Sequence, residues 1–163
     1  MTAAEKLGSA FQQERQPSPA TSNAISGSAF TAYRVLVHDY QSSWVQELRS
    51  RFDRLTALPI GWDGYGGRPV SWQCANFVAN MLERLHQDNV PPPSLVPGAD
   101  GSLQVEWHRN QFDVELDVLG VQNVVATRID RLSGVEEVVE IQSDFSAIVP
   151  WINALSSGGR LLD

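Results

Sequence analysis

Cysteine is nearly absent from this chain of 163 residues, in which Cys74 stands alone. No internal disulfide can form, and such usage favours a reducing cytoplasm. Lysine is as scarce: Lys6 is the single lysine among twelve basic residues, and the other eleven are arginine. No apolar run approaches the ~18 residues that a membrane span requires. The opening Met1-Thr-Ala-Ala-Glu-Lys-Leu-Gly8 has no basic segment followed by an apolar one, so no signal peptide is expected. The phosphate-loop pattern Gly-x4-Gly-Lys-Ser/Thr and the nucleophile elbow Gly-x-Ser-x-Gly are both missing. His38, His86 and His108, the only histidines, show no ligand spacing. No cofactor and no metal are expected.

What is present suits one globular domain. The apolar fraction of 42% and charged fraction of 19% are ordinary, so no unusual class is implied. A folded part of this size buries roughly two thirds of its unfolded surface, enough for a core without staples. The net charge is −7, and its placement is uneven. Up to Val90 eight acids balance eight bases, whereas from Pro91 onward eleven acids face four bases. An acidic domain repels phosphate, which disfavours nucleic acid and permits a basic protein partner.

Residues 1–30 are rich in Ser, Ala, Gln and Thr and hold few apolar anchors, so they predict a disordered tail, with 31–163 as one domain. Tyr33-Arg-Val-Leu-Val-His-Asp-Tyr40 predicts a short strand. Ser43-Trp-Val-Gln46 has the form of a capping box. Trp44, Val45, Leu48, Phe52 and Leu55 follow at helical spacing, which predicts a helix over Ser43–Ala57, stopped by Pro59. A second helix is predicted over Ser71–His86, with Cys74, Ala75, Val78, Met81, Leu82 and Leu85 on its apolar stripe. Cys74 is therefore expected as a buried structural thiol. Pro91-Pro-Pro93 then imposes an extended segment.

The rest alternates with a period of two. Leu95-Val96 predicts a short strand and Asp100-Gly101 a turn. Leu103, Val105 and Trp107 alternate with Gln104, Glu106 and His108. After a turn at Arg109-Asn110, Phe112, Val114, Leu116 and Val118 alternate with Asp113, Glu115 and Asp117. Further strands are predicted over Asn123–Asp130 and Glu136–Gln142. A closing helix is expected in two short pieces or beginning near Pro150, ended by Gly158-Gly159. Helices first and strands afterwards argue for an α+β fold: two helices on a four- to five-stranded antiparallel sheet, with a short C-terminal helix. Trp44, Phe52, Phe77, Met81, Trp107, Phe112 and Leu116 are the expected core.

Two constellations stand out. The first is Leu58-Pro-Ile-Gly-Trp-Asp-Gly-Tyr-Gly-Gly-Arg-Pro69, with four glycines and two prolines in twelve residues, which excludes helix and regular strand. Its glycines allow positive φ. Trp62 and Tyr65 are amphipathic anchors, and Asp63 accepts amides or caps a turn. Three roles are open to it: a structural connector with Trp62 plugging the core edge, a recognition loop, or a seat for a catalytic aspartate. Burial of both aromatics would mark the connector, and exposure of either would mark recognition. The second constellation is acidic. Glu106 and His108 share the wet face of one strand, and Asp113, Glu115 and Asp117 share that of the next. A hairpin would cluster all five, either as an ordinary solvated face or as a docking face for a basic partner. Carboxylates at alternate positions lie ~6.8 Å apart, too far to chelate one ion without loops.

The Gly61-Trp-Asp-Gly-Tyr-Gly66 motif, followed by Pro97-Gly-Ala-Asp-Gly101 and Val105-Glu-Trp107, resembles a widespread group of small, uncharacterised bacterial proteins. The likeness covers roughly residues 55–118. It implies a bacterial or phage origin and a shared fold, and it brings no activity with it.

Three function classes follow. One is a non-enzymatic binding protein, such as an inhibitor, antitoxin, immunity protein or phage counter-defence factor, anchored by Trp62, Asp63 and Tyr65 and steered by Glu106, Asp113, Glu115 and Asp117. Another is an accessory subunit of a bacterial assembly, docked through its tail. The third is an enzyme using Asp63 or Glu106. The absence of a catalytic signature ranks the first ahead.

Overall fold

The computed structural model describes residues 43–156. The expected tail over 1–30, the expected strand over Tyr33–Tyr40, His38 and the closing Gly158-Gly159 lie outside the described residues, as do the side chains of Ser43 and Gln46.

The fold is α+β. Helix α1 spans Ser43–Thr56 and α2 spans Trp72–Leu85. Among the described side chains of α1, Trp44, Leu48 and Phe52 are buried one turn apart and form an apolar stripe, while that of Val45 lies outside the described ones. Helix α2 starts where Ser71 caps it: the Ser71 hydroxyl accepts the Cys74 amide at 3.1 Å. Its stripe buries Cys74, Ala75, Val78, Ala79, Met81, Leu82 and Leu85.

Five strands follow: β1 (Ser94–Pro97), β2 (Leu103–Arg109), β3 (Phe112–Gly120), β4 (Asn123–Asp130) and β5 (Glu136–Ile141). They form one antiparallel meander in chain order, each strand paired with the next. Leu103, Val105 and Trp107 of β2 face the helices with Val114, Leu116 and Val118 of β3 and with Val124 and Ala126 of β4. A short 3-10 turn at Ser146–Ile148 leads into α3 (Val149–Ala154), with Pro150 in its first turn, where a missing amide costs nothing. Phe145, Ile148, Trp151, Ile152 and Leu155 complete the core.

Two details depart from expectation. Arg109 pairs with Phe112, so the β2–β3 loop is Asn110-Gln111, one residue later than expected. Asn110 takes φ 56°, a left-handed conformation that asparagine tolerates and arginine does not favour. Phe77 and Phe112 are only partly buried at the core margin. Phe77 packs toward Phe145, with ring centroids 6.2 Å apart, and the Arg128 guanidinium lies over the Phe112 ring at 4.1 Å.

The proline run is held from its sides. Prolines supply no amides, but their carbonyls still need donors. The Trp44 indole donates to the Val90 carbonyl at 3.1 Å, the Trp107 indole to Pro91 at 3.0 Å, and Arg51 to Pro93 at 2.9 Å. These bonds fix the lead into β1 against α1, through Trp44 and Arg51, and against β2, through Trp107.

Cys74 is buried, with its thiol 3.7 Å from the Val118 carbonyl. Burial, reinforced by the charge of Asp100, pushes its pKa up to about 11. In the folded protein Cys74 is expected to react with a thiol reagent at neutral pH far more slowly than after unfolding in urea. Equal rates in a time-resolved labelling assay would contradict its placement.

Candidate functional site

The glycine-rich loop between α1 and α2 closes on itself. The Gly61 amide donates to the Gly67 carbonyl at 2.7 Å, and the Gly64 amide donates to the Gly61 carbonyl at 2.9 Å. Asp63 sits inside this ring, where its Oδ1 accepts the Tyr65 amide at 2.9 Å and the Gly67 amide at 2.8 Å. A Cβ at Gly67 would stand 2.7 Å from the Asp63 carboxyl carbon, so a side chain there would push the carboxylate off the amides it accepts. Gly64 takes φ +83°, which side-chain-bearing residues rarely adopt. Trp62 is half-buried and donates its indole N–H to the Arg68 carbonyl at 2.9 Å.

The loop is also tied to a distant turn. The Arg68 amide donates to the Ala99 carbonyl at 2.9 Å, and the Ser71 amide donates to the Gly101 carbonyl at 3.2 Å. The segment that follows the Gly-Trp-Asp-Gly-Tyr-Gly motif is thus joined backbone to backbone to the turn around Asp100-Gly101, far away in sequence. In the turn, Asp100 accepts the Ser102 amide at 3.0 Å.

The two aromatics divide. Trp62 is used inside the loop, whereas Tyr65 is 95% exposed and Ile60, on the same loop, is 83% exposed. Tyr65 is exposed and Trp62 half-buried, so the two aromatics are not buried together as a pure connector would require. Ile60 carried no signal, because an isoleucine beside a proline reads as a core residue.

The amides of Tyr65 first, then Gly67, hold the Asp63 carboxyl below its ordinary value of 3.8. A carboxylate with a lowered folded pKa stabilises above its unfolded value, and that contribution is lost as pH falls through the folded one. The loop is therefore expected to loosen only in acid below 3.8. Asp63→Asn should speed amide exchange at Tyr65 and Gly67 at neutral pH. Unchanged exchange at both sites would contradict the bonding.

The second constellation forms as a hairpin. On the sheet face turned away from the helices, His108 stands opposite Asp113, Glu106 opposite Glu115, and Gln104 opposite Asp117. The His108 ring contacts both neighbours, Nδ1 to Asp113 Oδ1 at 2.9 Å and Nε2 to Glu106 Oε2 at 3.4 Å. Gln104 donates to Glu115 at 3.3 Å. Arg131, from the β4–β5 turn, reaches Asp113 at 3.7 Å, a contact no sequence spacing announces. Glu115 and Glu106 face each other directly, a like-charge pair that the sheet holds at some cost. On the same face β4 adds Val125, Thr127 and Ile129, and β5 adds Glu136, Val138 and Glu140. The open positions of β2 to β5 thus hold six carboxylates and no lysine or arginine.

The hydrogen bond to Asp113 does most to raise the His108 pKa above 6.5; burial opposes it, and the hydrogen bond to Glu106 adds a smaller upward push. A histidine with a raised folded pKa stabilises fully below its unfolded value, and that contribution is lost as pH rises through the folded one. The His108 ring signals should therefore titrate above 6.5 by NMR and move back toward it in Asp113→Asn. A wild-type midpoint below 6.5 would contradict the triad.

Comparison with known proteins gives no match to any family model, characterised protein sequence or solved structure. The site is therefore read from its own chemistry. Among the described residues no three His, Cys, Asp or Glu side chains group as a metal site. No described helix is long and apolar enough to cross a membrane. Three shallow grooves lie among the described residues. One of about 120 Å3 lies between Pro97 and Asp117, one of about 310 Å3 lies beside Asp88 and Asn153, and one of about 230 Å3 lies between Phe77, Arg84 and Phe145. Neither Asp63 nor Glu106 lines any of the three.

Proposed function

We propose that this chain is a non-enzymatic protein-binding module of the inhibitor, antitoxin, immunity or phage counter-defence kind, with a basic protein as its partner. One observation carries the reading: Tyr65 and Ile60 stand in solvent on a loop whose polar groups are already committed to one another. An exposed aromatic on pre-ordered backbone loses little entropy on docking, and tyrosine is enriched among binding hot spots. Trp62 and Asp63 brace the loop from within. Glu106, Asp113, Glu115 and Asp117 form a steering face, which speeds encounter with a basic partner and opposes nucleic acid.

The enzyme alternative has weaker support. A catalytic acid or base has to reach its substrate. Asp63 is engaged with two amides, and Glu106 lies on an open sheet face beside His108. The single thiol accords with a cytoplasmic location. The motif resemblance supports a bacterial or phage source.

A tagged copy expressed in its source organism, captured and weighed by light scattering, tests the proposal. The expected result is a stoichiometric complex with one second chain, dispersed by reversing the charges at Asp113 and Glu115. Recovery of the bare chain, at every growth condition in which it is expressed, would contradict it.

A further inference from the structure

The sheet has two edges, and they are built differently. At the β1 edge the Gly98 amide donates to the Ser102 carbonyl at 3.0 Å, which sets the alternation of the ladder. Val96 then bonds inward to β2, and Leu95 and Pro97 turn their backbones outward. Pro97 has no N–H to offer. A proline at this position is a common way to blunt a sheet edge.

The β5 edge carries no such block. The Asp130 amide donates to the Val135 carbonyl at 2.9 Å, and the register continues as Ile129 with Glu136, Arg128 with Glu137 and Thr127 with Val138. Alternation along an antiparallel pair then points the N–H and C=O of Glu136, Val138 and Glu140 away from β4. No described strand pairs on that side. Val135 and Val138 are 55% and 56% exposed, and Glu136, Glu137 and Glu140 are exposed as well. Side chains that share a backbone direction here also share a face. Glu136, Val138 and Glu140 stand on the open acidic face, in cross-strand rows with Asp113, Glu115 and Asp117.

We propose that the free edge of β5 accepts an added strand from a basic partner protein, an extended segment of the pattern basic–x–apolar–x–basic. Backbone groups of Glu136, Val138 and Glu140 supply the ladder, as in other strand-addition sites. An antiparallel segment sets its basic side chains opposite Glu136 and Glu140 and its apolar one opposite Val138, at cross-strand pairing distance. The charge argues against a second copy of this chain as occupant. The symmetric register that matches all three outward residues centres on Val138 and sets Glu136 against Glu140 twice. This site lies beyond the loop reading, and only its preference for basic segments rests on the acidic face.

The test uses a short labelled peptide with a Lys-Thr-Val-Thr-Lys centre, a Glu-Thr-Val-Thr-Glu control and the full chain. Anisotropy reads binding, and NMR-detected hydrogen exchange reads the amides. The expected result is binding of the lysine peptide with slowed exchange at Glu136, Val138 and Glu140. Val138→Pro removes an N–H that β4 does not use, and should weaken binding by about tenfold or more while thermal unfolding stays near wild type. Should that variant unfold, the pair Glu136→Lys and Glu140→Lys decides, and is expected to switch preference to the glutamate peptide. Tyr65→Ala should leave peptide binding unchanged, which separates this site from the loop. Three outcomes would overturn the proposal: no lysine-peptide binding, binding without protection at those amides, or a dimer of the free chain paired through β5.

Discussion

Phe52→Ala is expected to lower the unfolding free energy by about 3–5 kcal/mol. Phe52 is fully buried, and among the described side chains of α1 only Trp44 and Leu48 are buried with it. Truncating it removes a large share of the apolar contact that holds α1 on α2 and leaves a cavity that the neighbouring helix cannot fill by shifting alone. Small domains hold only about 5–15 kcal/mol in total, so the loss is a large fraction of the whole. At roughly 4 °C per kcal/mol, the unfolding midpoint should fall by about 12–20 °C. Leu55, partly buried at the end of the same stripe, provides the comparison and should cost less when truncated. Urea or thermal unfolding followed by circular dichroism reads both. A Phe52→Ala effect below about 1 kcal/mol would mean that α1 is not packed as described.

Ile60→Ser with Tyr65→Ala should do the opposite, sparing the fold and removing function. Both side chains are exposed, and the loop hydrogen bonds run through the backbone, Asp63 and Trp62 rather than through either of them. Surface substitutions of this kind stay within about 0.5 kcal/mol of wild type. If Tyr65 is the anchor, the pair should weaken a captured partner by about 30-fold or more, corresponding to the ~2 kcal/mol that defines a hot spot. Titration calorimetry on the purified complex reads the loss. An unchanged affinity with an unchanged midpoint would remove the loop from the binding surface.

Periodicity carried the fold. The stripe in α2, the cap at Ser71 and the strict alternation from Leu103 to Val118 were legible because each is a local rule, and together they specify α+β. Even the start of α3 near Pro150 followed from what proline permits. The one-residue shift of the β2–β3 turn was not legible, because it depends on Arg109 finding Phe112 across the ladder. The site was legible only in outline. The alternation placed Glu106, His108, Asp113, Glu115 and Asp117 on one face. It did not show that His108 bridges two carboxylates or that Arg131 arrives from another turn. In the loop, composition announced a non-repetitive segment rich in anchors. It could not divide Trp62 from Tyr65, since the division depends on the Arg68 carbonyl lying beneath the Trp62 indole. Exposure of Ile60 and the unblocked edge of β5 are likewise products of tertiary placement.

Hydrogen–deuterium exchange of the free chain against its captured complex tests the binding proposal most directly. The expected footprint is slowed exchange across residues 60–67 and along the β2–β3 hairpin from Glu106 to Asp117, with α1 and α2 unchanged. Protection confined to the helices, or the three grooves protected while the loop and the acidic face exchange as in the free chain, would contradict it.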